Sequence, residues 1–98
     1  MMNFRISREA QKDLEGIWLY TLEEWSFEQA NRYINLILNE IEFLCLDPES
    51  GSDYGFVRKD YSKARVQSHF IFYKIIKSEK RIDIIRIQHQ RRDIDNQL

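Results

Sequence analysis

The chain has 98 residues, with 15 Lys/Arg against 16 Asp/Glu and a single cysteine, Cys45. That length supports one core rather than two, and the scarcity of Gly and Pro excludes a low-complexity or disordered chain. A lone cysteine excludes an internal disulfide, no apolar run nears the ~20 residues that span a bilayer, and Met1–Ile6 lacks the apolar stretch of a signal peptide. The expectation is one domain over residues 1–98, cytoplasmic, reduced and without a membrane partner.

Charge is unevenly placed. Residues 1–50 hold 4 Lys/Arg and 10 Asp/Glu, a net of −6, and residues 51–98 hold 11 and 6, a net of +5. Such polarity fits an interaction face, and equally two helices rich in Glu because Glu is a good helix former.

Asn3–Ile6 alternates and reads as a first strand. Ser7 is placed to cap a helix, with Glu9 in its first turn where the helix dipole favours an anion. Ala10, Leu14, Ile17, Trp18, Thr21 and Trp25 then recur with a 3.6-residue period, giving an amphipathic helix from about 8 to 25. Ser26 and Gln29 form a capping box that starts a second helix after almost no loop, so the two helices form a tight hairpin. Ala30, Ile34, Ile37, Leu38, Ile41, Leu44 and Cys45 make the main stripe of that helix. Tyr33, Leu36 and Phe43 widen it beyond what one partner surface covers. Asp47-Pro48 ends the helix, because the residue before proline is driven out of the helical region.

Residues 47–55 are rich in breakers and form the one long loop. Strands are expected at about 56–59 and 62–68. Phe70–Lys77 and Ile82–His89 follow, apolar on both faces and joined by a turn at Glu79-Lys80, and 91–98 is a polar tail. The order β-α-α-β-β-β defines an α+β domain, a helical hairpin packed on one face of a small antiparallel sheet.

His69 opens one central strand and His89 closes its hairpin partner, so the two histidines are expected side by side. With Arg65 and Arg86 they have the group types for phosphodiester cleavage; the plainer reading is a pair of half-buried histidines at a sheet edge. Arg65, Arg86, Arg91 and Arg92 suit bidentate binding of phosphate or carboxylate. Arg86 stands among isoleucines, where a charge needs a partner, and Asp83 and Asp93 are the candidates. Phe70, Phe72 and Tyr73 read as core. One Cys and two His give no metal-ligand spacing, and nothing implies a cofactor.

These groups, in this order, resemble the ParE branch of the RelE/ParE toxin superfamily. The matching residues are Ser7–Ala10 with Asp13, Leu14 and Ile17; Tyr20, Thr21 and Trp25; Gln29, Ala30 and Tyr33; Leu44 before Pro48 and Gly51; Arg65; His69–Tyr73; and Ile84–Arg91 with Asp93. They run almost the whole chain, and the last two blocks are the most specific.

The resemblance implies the toxin of a type II toxin–antitoxin pair, held in a tight complex by a ParD-like antitoxin. It implies DNA gyrase as target, poisoned without enzymatic activity of the toxin's own, with nucleic acid reached only through gyrase or antitoxin. RelE-like relatives instead cleave mRNA on the ribosome; on that alternative Arg65, Arg86 and His89 carry the chemistry. RelE-type nucleases usually place a Tyr in the C-terminal tail, whereas here Gln90 follows His89 and no Tyr occurs after Tyr73, which favours gyrase. A third alternative is a detoxified member that serves only its antitoxin. Expected target-binding residues are Arg65, His89, Gln90, Arg91, Arg92 and Asp93, and expected antitoxin-binding residues are Tyr33, Leu36 and Phe43.

Overall fold

A computed structural model describes residues 1–53 and 60–91. Strand β1 (Asn3–Ile6) leads into helices α1 (Arg8–Glu24) and α2 (Phe27–Leu46), and a single 3-10 turn at Pro48–Ser50 leads to β2 (Ser52–Asp53). β3 (Tyr61–Val66), β4 (His69–Ile76) and β5 (Arg81–His89) complete the described elements. The sheet order is β1-β5-β4-β3-β2. The fold is α+β as expected, with one correction: β1 runs parallel to β5, so the sheet is mixed and not purely antiparallel. The helical hairpin is the crossover that makes a parallel return possible.

Both expected helix caps form. Ser7 Oγ accepts from Ala10 N at 3.0 Å, and Ser26 Oγ accepts from Gln29 N at 3.1 Å. Trp18 Nε1 donates to Asn31 Oδ1 at 3.0 Å and its ring meets Phe27 edge to face, which pins the hairpin. Trp25, expected on the buried stripe, instead caps the C-terminus of α1 and is 75% exposed.

Ala10, Ile37, Ile41, Leu44 and Cys45 of the helices meet Ala64, Val66, Ile71, Tyr73, Ile82, Ile84 and Ile87 of the sheet in one core. Inside the loop that the sequence leaves irregular, Tyr73 Oη donates to Pro48 O at 2.7 Å. A Cβ at Gly51 would collide with that hydroxyl and lie 2.7 Å from Lys63 O, so the close passage admits only glycine there. The strand expected at 56–59 lies outside the described residues, and that expected at 62–68 is Tyr61–Val66. It stops where Gln67 turns into the left-handed region, with φ 54°.

β5 carries a bulge: Phe72 pairs with Arg86 and Tyr73 with Ile84, leaving Ile85 over. β1 reaches only as far as Ile84, so the rest of β5 would be a bare edge. Helix α1 supplies the missing partners. Ser7 N donates to Ile84 O at 2.9 Å, Ser7 Oγ donates to Ile85 O at 2.7 Å, and Asp13 Oδ2 accepts from Ile87 N at 2.9 Å.

Candidate functional site

The ends of β4 and β5 meet where the sequence places its polar cluster. His69 and His89 are register partners, their rings edge to face with centroids 5.2 Å apart. Tyr33, from α2, lies against His69 with its hydroxyl 2.7 Å from Nδ1 and accepts from Ser68 N at 3.2 Å. It therefore faces the sheet, whereas Leu36 and Phe43, which widen the same apolar stripe of α2, are exposed. Burial is the main force that lowers the His69 pKa to about 4, and His89 adds to it; the Asp13 charge opposes both. His69 is thus a neutral ring at neutral pH.

The expected target-binding residues fall partly together. Arg65 donates through Nε to Gln67 O at 2.9 Å and through Nη2 to Gln90 Oε1 at 2.8 Å, so the end of β3 is tied to the residue after β5. His89 Nδ1 accepts from Arg91 N at 3.2 Å. Arg92 and Asp93 lie outside the described residues.

Arg86 belongs elsewhere. Its Nε and Nη2 donate to the two oxygens of Asp13 at 2.9 and 3.0 Å, and this bidentate pairing is the largest cause of its raised pKa. The expected partner Asp83 is instead bonded to Arg81 Nε at 2.7 Å. Asp13 also accepts from Gln88 Nε2 at 3.3 Å, which satisfies a side chain that is buried in the sheet. Sequence reasoning missed Asp13 as a site residue. The available signal was a carboxylate on the apolar face of α1, three residues after Ala10 and four before Ile17, in a chain with a strand arginine in need of a partner.

Of the expected antitoxin residues, Leu36 is 40% and Phe43 49% exposed. With Asn39, Glu40, Arg65 and Val66 they line a shallow groove between α2 and β3. Among the described residues no group of His, Cys, Asp and Glu forms a metal site, and no helix is long and apolar enough to cross a membrane.

The fold and its sequence define a toxin class. The family model for the ParE toxin of the type II toxin–antitoxin system parDE matches residues 4–94. The chain is 34% identical to the toxin ParE1 of Mycobacterium tuberculosis over 95 residues, 97% of this chain and 96% of that one. Among solved structures it resembles a chain of the chromosomal ParDE system from P. aeruginosa, with TM-score 0.77 and 19% identity over 91% of this chain and 96% of that one. It also resembles the isolated E. coli RelE toxin, with TM-score 0.64 and 13% identity over 99% and 94% of the two chains. The chain belongs to the ParE toxin family of type II toxin–antitoxin systems.

Proposed function

We propose that this ParE-type toxin acts on DNA gyrase, is not itself a nuclease, and is neutralised by a ParD-like antitoxin. The observation that carries the reading is the engagement of Arg86 by Asp13. An RNA-cleaving site needs proton-transfer groups and cations gathered on one phosphate. Arg86 instead serves the joint between α1 and β5, while Arg65 is bound to Gln90 at the hairpin end. The residues that follow His89 are Gln90, Arg91 and Arg92, and guanidinium does not release a proton near neutral pH. Membership in the ParE family, whose model is that of parDE, favours ParD as partner and gyrase over the ribosome as target.

The antitoxin segment covers the groove at Leu36 and Phe43, with Glu40 and Arg65 at its sides. Tyr33, also expected to meet the antitoxin, lies outside that groove, bonded to His69. Inducing the chain without an antitoxin tests the reading. Broken chromosomal DNA with intact mRNA is the expected result; codon-specific mRNA cuts with intact DNA contradict it.

A further inference from the structure

A cleft of about 650 Å³ opens between α1, from Lys12 to its C-terminal cap, and the joined ends of β4 and β5, lined in part by Lys12, Tyr20, Trp25, Tyr33, His69 and His89. Its hydrogen bonds have a definite direction. Burial raises the Tyr33 pKa and keeps it a phenol, and its oxygen already accepts from Ser68 N, which leaves its proton for His69 Nδ1. His89 Nδ1 accepts from Arg91 N. Both rings are thereby held as Nε2–H tautomers, and neither Nε2 has a protein acceptor among the described residues.

Two N–H donors do not suit a metal, which would need the lone pair that each proton occupies. They suit an acceptor, and Lys12 adds an ammonium to the same wall. The one carboxylate in the lining, Asp13, has its oxygens taken by Arg86, Ile87 N and Gln88. Gly16, also in the wall, leaves open space where a side chain would project. At the mouth, Tyr20 is 65% and Trp25 75% exposed, so flat aromatic faces stand in water beside an anion-seeking floor. A peptide side chain would ask for an enclosing apolar pocket, whereas open rings beside N–H donors and an ammonium match the base and phosphate of one nucleotide. Past His89, the same end of the sheet carries Arg65 and Arg91 for the adjoining backbone.

The geometry points to a binding site for one unpaired nucleotide of a DNA strand, its base stacked on Tyr20 and Trp25 and its phosphate held by Lys12, His69 and His89. The choice of DNA as the strand rests on the gyrase reading, which supplies cleaved DNA as a neighbour. The toxin then touches nucleic acid directly, alongside the gyrase that it poisons.

The test is fluorescence anisotropy of a fluorescein-labelled oligo-deoxythymidine titrated with the whole chain at low salt. Saturable binding is expected. Tyr20→Ala with Trp25→Ala should weaken it at least about tenfold. Lys12→Gln should weaken it several-fold and lower the salt slope by about one. All three side chains are exposed, so melting temperatures should stay unchanged. Absence of binding, equal binding by these variants, equal binding of duplex, or tighter binding of oligo-uridine would overturn the assignment. So would a cleft that takes an acidic aromatic peptide and no oligonucleotide. Gyrase supercoiling measured on the same proteins keeps the two readings apart. Gyrase poisoned without oligonucleotide binding sinks only the cleft, and binding without an effect on gyrase sinks only the gyrase reading.

Discussion

Asp13 on α1 and Arg86 on β5, 73 positions apart in sequence, form a two-pronged ion pair whose carboxylate also caps the Ile87 amide at the open edge of the sheet. The carboxylate takes an edge amide three residues past the last β1 pairing, Ile6 with Ile84, and the guanidinium balances the charge that this brings to the edge. One side chain thus ends a strand ladder and docks a helix.

Replacing Arg86 by Ala should lower stability by about 2 kcal/mol, less than the ~3–5 of a fully enclosed pair, because both side chains keep some solvent contact, 19% and 14%. Asp13→Ala should cost at least as much, since it also strands the Ile87 amide. Urea unfolding of both single variants and the double should give a coupling energy above about 1 kcal/mol. Additive effects would mean that the pair does not act as a unit.

His69 gives the stability a pH signature. The folded ring stays neutral down to pH about 4, whereas an ordinary histidine takes its proton near 6.5. Between those values the unfolded chain binds a proton that the folded chain refuses, so stability falls as the pH drops from about 6.5 to about 4. Above that window the ring is neutral in both states and contributes no slope. Melting temperatures across this range should decline more steeply for the natural chain than for His69→Gln.

Much of this site was readable from the sequence, and the reasons for the gaps are physical. Ser7 and Ser26 announce their helices because a cap is a local bond between residues three apart. The pairing of His69 with His89 follows from hairpin register, again a short-range rule. The partner of Arg86 did not follow, since Asp13 lies 73 positions away on a helix and no short-range spacing links the two; nor does any pattern of apolar residues encode the bulge at Ile85. The parallel β1 escaped for a related cause: its partner is the last strand, and only the helical crossover makes that return possible. Trp25 misled because its helical spacing is right while the helix ends one residue too soon to bury it.

Gly51 should tolerate no side chain. Gly51→Ala sets a methyl against the Tyr73 hydroxyl and Lys63 O, and overpacking of this kind costs about 1–3 kcal/mol. A lowered urea midpoint should be partly restored by Tyr73→Phe, which removes the hydroxyl from the collision; no recovery would place the strain in the backbone instead.

Deleting residues 90–98 removes Gln90, the partner of Arg65, together with Arg91, Arg92 and Asp93. The shortened chain should lose toxicity in a growth assay yet still bind the antitoxin, because the groove proposed for it at Leu36 and Phe43 is built by α2 and β3. Loss of antitoxin binding along with toxicity would show that the two surfaces are one.

Action on gyrase with mRNA left uncut can be scored with purified components. The most direct measurement mixes the purified chain with gyrase, ATP and relaxed plasmid, and scores supercoiling and covalently cleaved DNA. Loss of supercoiling with accumulation of linear, gyrase-linked DNA is the expected result, reversed by adding a ParD-like antitoxin. Unaffected supercoiling, with cleavage of mRNA when the same protein is given translating ribosomes, would contradict it.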